Sequence, residues 1–230
     1  LAEGAIKIPE LIKACQEQCM PAVGITDTGN LFGALEFALA AKNAGVQPII
    51  GCQIKVDRST SKIFTPRFHS NEHGLDLDTL VLIVQDERGY KNLLKLVSSS
   101  FLTSSSFQKP HITFEDLIGK TEGLIALTGG PDGALIKLLS ENKREEAKGM
   151  LDCLSELFAG RLYIELTRHG MQIEKETEGD LIRLAYETDI PLVATIDCYF
   201  LNHEMYEAHD ALLCIAECKK IEERDRRVVT

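Results

Sequence analysis

Three features that this sequence lacks limit the classes of protein to which it can belong. No run of about 18 apolar residues, the length that a membrane-spanning helix needs, occurs in its 230 residues. The N-terminus carries no basic segment ahead of a hydrophobic one, as a secretory signal would. Lys and Arg number 25 against 35 Asp and Glu, and the resulting charge of −10 opposes broad contact with a nucleic-acid backbone. We therefore expect a cytoplasmic protein without a nucleic-acid groove of its own.

Three motifs that would assign a chemistry are also missing. There is no G-x-G-x-x-G after the first predicted strand and no Walker A sequence, which excludes Rossmann and P-loop nucleotide binding. A G-x-S-x-G segment, which would place a nucleophilic serine at a strand–helix turn, is absent as well. Any chemistry of this chain therefore depends on other residues.

Cysteine is present in an odd number, seven. Five of these residues stand among apolar neighbours in the sequence: Cys15, Cys52, Cys153, Cys198 and Cys214. Buried free cysteines behave as small hydrophobic residues, and disulfides are rare in the reducing cytosol. The pattern predicts reduced thiols in the core.

The segment Ala22 to Gly33, AVGITDTGNLFG, reads as a buried strand that ends in a tight polar turn and leads into a helix. We expect Asn30 to cap that helix, because its side chain can accept a hydrogen bond from a backbone N–H group of the first turn. In a parallel α/β fold, chemistry is usually placed at the carboxyl end of such a strand. Asp27 and Thr28 are therefore candidate site residues.

Strands and helices alternate through the rest of the chain. Apolar runs predict strands over 46–56, 79–85, 124–127, 162–167 and 191–195, and residues 57–78 read as a long polar loop. Helical spacing predicts helices over 8–19, 31–44, 89–101, 114–118, 132–140, 143–158, 174–188 and 203–219. We expect Thr113 to cap the helix over 114–118. This order is typical of a parallel sheet with helices outside it. Six strands are predicted, and adding a first strand that we expect before Leu1 brings the number to about seven. This number favours one β/α barrel domain over residues 1–230.

The ends of the predicted strands supply few metal ligands. They carry Asp27 and Thr28, Gln53, Asp86 and Glu87, Gly129 and Gly130, Arg168 and His169, and Asp197 to Tyr199. Only Asp27, His169 and Asp197 are good ligands, which is thin for one ion and inadequate for a cluster. Asp27 and Asp197 also have ordinary alternatives, since each can accept hydrogen bonds from backbone N–H groups of its own turn.

Eight segments, taken together, make the chain similar to a known family. It resembles the PHP (polymerase and histidinol phosphatase) domains at the N-terminus of bacterial DNA polymerase III alpha subunits. The resemblance implies a distorted seven-stranded β/α barrel whose first strand is truncated here, and a cluster of His and acidic residues at the barrel mouth in metal-binding members. The segments are LAEGAIKIPELI, MPAVGITDTGNLFGALEF, AGVQPIIGCQIKV, ERGYKNLLKLVS, EGLIALTGG, LYIELTRHG, IPLVATIDCYFL and EAHDALLCI.

Carried over by position, the resemblance implies that most of the metal ligands have been replaced. The family has His at three positions that are occupied here by Thr28, Thr79 and Tyr199. It has Glu at the position of Gln53, and Cys or a polar residue at the position of Gly130. The acidic positions Glu3, Asp27 and Asp197 are retained, and the family's His-x-His pair is expected upstream of Leu1. Thr, Gln and Gly bind divalent ions poorly. We name nine positions the relict positions and expect no metal there: Glu3, Asp27, Thr28, Gln53, Thr79, Gly130, His169, Asp197 and Tyr199.

The function implied by this resemblance is scaffolding within a replicative DNA-directed DNA polymerase. The parent chain would use Mg²⁺ at carboxylates outside this segment, so no catalytic residue and no cofactor are expected here. The implied protein partners are a proofreading exonuclease subunit and other replicase subunits. Primer–template DNA would be held by the rest of the parent chain. The resemblance does not assign the residues that bind these partners. Two alternatives stay open: an active Zn²⁺- or Mn²⁺-dependent PHP phosphoesterase or 3′–5′ exonuclease, and a free-standing histidinol-phosphatase-like hydrolase.

Overall fold

The computed structural model describes residues 4–59, 77–104 and 108–223. Within these residues it contains seven strands and eight α-helices. The strands are β1 (Ala22–Thr28), β2 (Gln47–Asp57), β3 (Leu77–Val84), β4 (Ile112–Thr113), β5 (Leu124–Leu127), β6 (Leu162–Leu166) and β7 (Leu192–Ala194). The helices are α1 (Ile8–Glu17), α2 (Ala34–Asn43), α3 (Glu87–Thr103), α4 (Phe114–Leu117), α5 (Ala134–Ser140), α6 (Arg144–Leu157), α7 (Gln172–Thr188) and α8 (Tyr206–Glu217).

The chain forms two compact units. The larger unit consists of Gly24–Ala34 and Ile49–Thr195, and the smaller one of Leu1–Val23, Leu35–Pro48 and Ile196–Thr230. Buried side chains of the smaller unit include Ile12, Phe37, Ala41 and Leu213. None of the described helices is long and apolar enough to cross a bilayer.

The sheet is mixed, so the prediction of an all-parallel sheet is wrong. Its strands follow the order β1-β2-β3-β5-β6-β7, with β4 beside β2. Strand β3 runs antiparallel to both β2 and β5, whereas β5, β6 and β7 are parallel. Parallel neighbours need a long crossover that is usually helical, and the stretch between β2 and β3 has no helical apolar spacing. Residues 60–76 of that stretch lie outside the described part.

Alternation along the strands separates two faces of the sheet. Cys52, Ile54 and Leu82 belong to one face, which packs against α3, α5, α6 and α7 in a single apolar core. The other face, which we call the site face, carries Gln53 and Lys55 of β2. By register it also carries three side chains of the neighbouring strands: Thr79 and Val81 of β3 and Glu165 of β6.

Of the two residues predicted to cap helices, one is a cap in the structure and the other is not. Thr113 caps α4 as predicted, in a reciprocal capping box with Asp116. The expectation for Asn30 is wrong, because its side chain accepts a hydrogen bond from the Phe32 N–H at 3.1 Å, while α2 begins only at Ala34. Asn30 therefore closes a tight turn before the helix.

None of the seven cysteines, all of which lie in described residues, forms a disulfide. Cys15, Cys52, Cys153 and Cys214 are buried, as predicted. The core position expected for Cys198 is wrong, because this residue lies exposed in the segment after β7.

Candidate functional site

The reversed direction of β3 decides which residues meet at the carboxyl edge of the sheet. Thr79, near the start of β3, lies opposite Lys55 at the end of β2. Asp86 and Glu87 follow the end of β3 and therefore lie at the opposite edge, so grouping them with the other strand ends is wrong. Asp86 instead caps α3 by accepting a hydrogen bond from the Gly89 N–H at 2.8 Å.

A lysine stands at the carboxyl edge between β2 and β3. The Lys55 Nζ donates a hydrogen bond to the Thr79 Oγ1 at 2.6 Å and lies 3.7 Å from a carboxylate oxygen of Asp132. The Lys55 side chain is 25% exposed, whereas that of Asp132 is 78% exposed. Gln53 belongs to the same face, two residues earlier on β2. This part of the site face therefore presents a positive charge, a hydroxyl and an amide.

The turn after β1 lies beside β2, because the Gly29 N–H donates a hydrogen bond to the Gln53 carbonyl at 2.8 Å. Thr28 ends β1 just before this contact. Asp27 acts electrostatically on the thiol of Cys52, which belongs to the core face. Burial raises the pKa of Cys52 to about 12, and the Asp27 charge adds to this effect, while backbone N–H groups of the turn oppose it. Cys52 is a free thiol buried in the core.

Glu165 is a buried carboxylate on the site face, only 7% exposed. Its Oε2 accepts a hydrogen bond from the Gly129 N–H at 3.0 Å, and its Oε1 accepts one from the Thr195 Oγ1 at 2.5 Å. The Glu165 N–H donates to the Thr128 Oγ1 at 3.0 Å. A buried charge is tolerated only with such partners. Glu165 thus ties together the ends of β5, β6 and β7.

The Gly129–Gly130 loop brings backbone against this edge of the sheet. Gly129 has a φ of +85°, and a Cβ there would lie 2.0 Å from the Thr79 carbonyl oxygen. Gly130 has a φ of +53°, and a Cβ there would lie 3.4 Å from the Thr167 Cγ2 and 3.9 Å from the Glu165 Oε2. Only glycine adopts this conformation at Gly129 without a clash. The relict position Gly130 therefore offers no side-chain ligand.

His169 is held by the first turn of α7. Its Nδ1 lies 2.9 Å from the Glu174 Oε1, which also accepts a hydrogen bond from the Thr167 Oγ1 at 2.8 Å. The other oxygen of Glu174 accepts from the Met171 N–H at 3.1 Å. Burial acts to raise the pKa of Glu174, but the hydrogen bonds from His169, Thr167 and Met171 outweigh it and lower that pKa. His169 is thereby oriented by a buried carboxylate.

The relict positions of the smaller unit form a local group of their own. The Tyr199 Oη donates a hydrogen bond to the Asp197 Oδ2 at 3.3 Å, and the Tyr199 ring stacks on that of His209 with centroids 5.6 Å apart. The Ala5 N–H donates to the Tyr199 carbonyl at 2.8 Å. Glu3 lies outside the described residues.

The described relict positions do not fit a divalent ion. Across residues 4–59, 77–104 and 108–223, no group of three His, Cys, Asp or Glu side chains could hold a metal. Between β2 and β3, the relict positions Gln53 and Thr79 offer an amide and a hydroxyl, and the ammonium of Lys55 stands beside them. The ammonium of Lys55 has no lone pair to donate.

Three residues of this site were not singled out from the sequence: Lys55, Glu165 and Glu174. A charged residue inside an apolar strand was the available signal for the first two, since both IKV and YIEL place a charge among buried neighbours. Glu174 stands five residues after His169, close enough to have been considered as its partner. Their joint placement depends on strand register, which the sequence alone does not show.

Comparison with known proteins places these residues in a family context. Residues 1–169 match the family model described as PHP domain. DNA polymerase III subunit alpha of Caulobacter vibrioides is 42% identical over 230 residues, which is 100% of this chain and 20% of that protein. The Rickettsia bellii and Vibrio cholerae proteins of the same name are 38% and 31% identical over 226 residues, which is 98% of this chain and 18% of each of theirs. The chain therefore spans about a fifth of the length of these relatives.

One solved structure is similar in fold. It is a protein of Bifidobacterium adolescentis provisionally named a metal-dependent phosphoesterase, with a TM-score of 0.50 and 13% identity. The match covers 86% of this chain and 84% of that one. At this identity the similarity concerns the fold alone.

Proposed function

Because the chain belongs to the PHP domain family, we propose that it is the metal-free PHP domain of a bacterial replicative DNA polymerase alpha subunit, acting as a scaffold and docking module. The observation that carries the non-catalytic part of this proposal is the site face of β2 and β3. There, Lys55 donates a hydrogen bond to Thr79 at 2.6 Å, so an ammonium stands beside a position where metal-binding relatives are expected to place a histidine.

The position of the chain within a larger enzyme is supported by its relatives. DNA polymerase III alpha subunits match it along 97–100% of its length, while it covers 18–20% of theirs. The polymerase reaction, nucleotidyl transfer to a primer 3′ hydroxyl, would use two Mg²⁺ ions held by carboxylates elsewhere in the longer chain. We infer that this segment is one domain of that chain, a distorted β/α barrel of the family's kind, and that it works in the cytoplasm.

The inferred partners are those of a replicase. A proofreading exonuclease subunit would bind this domain, other replicase subunits would join the assembly, and primer–template DNA would bind the rest of the longer chain. The acidic balance of the segment, with a net charge of −10, supports a protein partner over direct contact with phosphates.

Elemental analysis and a nuclease assay of the full-length polymerase subunit test the proposal. We expect no stoichiometric zinc or manganese at this domain and no release of nucleotides from single-stranded DNA. Deletion of the domain should abolish capture of the exonuclease subunit while the polymerase carboxylates stay intact. Stoichiometric zinc together with nucleotide release would support an active phosphoesterase or exonuclease instead, and retained capture after deletion would remove the docking role.

A further inference from the structure

We infer that the Lys55 ammonium is a built-in cation of the site face, and that it excludes divalent ions from this edge of the sheet even where ligands are restored. This inference rests on the proposed metal-free state and gives it a specific cause. Loss of ligands alone would leave an edge at which a few substitutions could restore metal binding. A fixed positive charge makes the edge resistant to such conversion.

The register of the sheet places this charge among the relict positions. Lys55 lies directly opposite Thr79, and Gln53 points from the same face two residues earlier on β2. The Lys55 Nζ lies 2.6 Å from the Thr79 Oγ1. An ion bound at the usual 2.0–2.2 Å from a ligand atom in that place would lie within roughly 5 Å of the ammonium nitrogen. Repulsion over such a distance is strong at a partly buried site.

The ammonium is held in place from two sides. Thr79 accepts its hydrogen bond, and the carboxylate of Asp132 lies 3.7 Å away in the turn after the Gly129–Gly130 loop. The Lys55 side chain is one-quarter exposed, so most of its stem is covered by protein. The Thr79 backbone itself lies close to Gly129, where a Cβ would come within 2.0 Å of the Thr79 carbonyl oxygen. The position of the charge therefore follows from the fold.

Zinc titration of full-length polymerase variants in saturating Mg²⁺ tests the inference, because Mg²⁺ occupies the polymerase carboxylates. The ligand-restored variant carries Gln53→Glu and Thr79→His with Lys55 unchanged, and the released variant adds Lys55→Met. We expect the released variant to bind Zn²⁺ about tenfold or more tightly than the ligand-restored one, after allowance for solvent screening. Lys148→Met in the ligand-restored background is the matched control, since this lysine is exposed on α6, and it should leave the affinity unchanged.

A charge-retaining variant separates repulsion from simple loss of side-chain volume. Lys55→Arg in the ligand-restored background should bind Zn²⁺ as weakly as Lys55 does. Equal affinity of the ligand-restored and released variants, including no binding by either, overturns the inference, and so does tight binding by the arginine variant. Stoichiometric Zn²⁺ on the unmodified domain would instead overturn the proposed metal-free function. Melting curves of each variant confirm that the compared proteins are folded.

Discussion

Replacing Glu165 by alanine should strongly destabilise the larger unit. The carboxylate accepts hydrogen bonds from the buried Gly129 N–H and the partly buried Thr195 Oγ1, and it is itself 7% exposed, so its removal leaves two donors without their acceptor. A hydrogen bond to a charged group contributes about 1.5–3 kcal/mol, and a buried donor left without a partner costs about 1–3 kcal/mol. Because the charge itself is costly to bury, part of this loss is offset. We expect a decrease of about 3–4 kcal/mol in the free energy of unfolding.

Urea denaturation followed by circular dichroism measures this decrease. A matched control is Glu156→Ala on α6, an exposed carboxylate whose loss should change stability by less than about 0.5 kcal/mol. Glu165→Gln, which keeps one acceptor oxygen, should fall between the two. If Glu165→Ala lowered stability no more than Glu156→Ala does, the ends of β5, β6 and β7 would not be held together by this carboxylate.

Three further predictions concern pH, backbone strain and thiol reactivity. The pKa of Glu174 is lowered in the folded state, so its stabilising contribution is present above the unfolded-state pKa and is lost as pH falls through the folded-state pKa. In urea titrations, the stability advantage of the native protein over Glu174→Gln should therefore shrink below about pH 4. A stability difference that stays constant with pH would contradict this. In the same assay, Gly129→Ala should lower the free energy of unfolding by about 3 kcal/mol or more. Gly160→Ala, also at positive φ but in open space, should lower it by only about 1–2 kcal/mol. Equal losses would contradict the close contact between Gly129 and β3. In native protein at pH 8, iodoacetamide should label exposed Cys19 well before Cys52, because burial raises the pKa of Cys52 to about 12. Mass spectrometry of the labelled peptides measures this order, and the reverse order would contradict the prediction.

Elements defined by local signals could be predicted from the sequence. Strand β5 was predicted with its observed bounds, because the apolar run LIAL is enclosed by glycines. The cap of α4 at Thr113 was predicted because a threonine hydroxyl directly before a helix can accept a hydrogen bond from a backbone N–H group of the first turn. The two-residue strand β4 was missed, since so short a segment has no period of its own and exists only through its pairing with β2.

Features that depend on long-range pairing could not be predicted. The direction of β3 follows from its register with β2 and β5, and an apolar run reads the same in either direction. That error placed Asp86 at the wrong edge and hid the contact between Lys55 and Thr79. The family resemblance identified Thr79 as a position of interest, but the charge opposite it became visible only once the strands were paired.

The reversal of β3 also sorts the connections of the larger unit into two groups. The link from β2 enters β3 at Leu77, beside the edge that holds Lys55, whereas the link from β3 leaves at Val84, on the far rim. A fluorescent label or cross-linker attached at exposed Glu87 would report from that far rim. A reporter at Leu77 would stand two residues from Thr79, the hydrogen-bond acceptor of Lys55, so the two rims call for different chemistry in any labelling study.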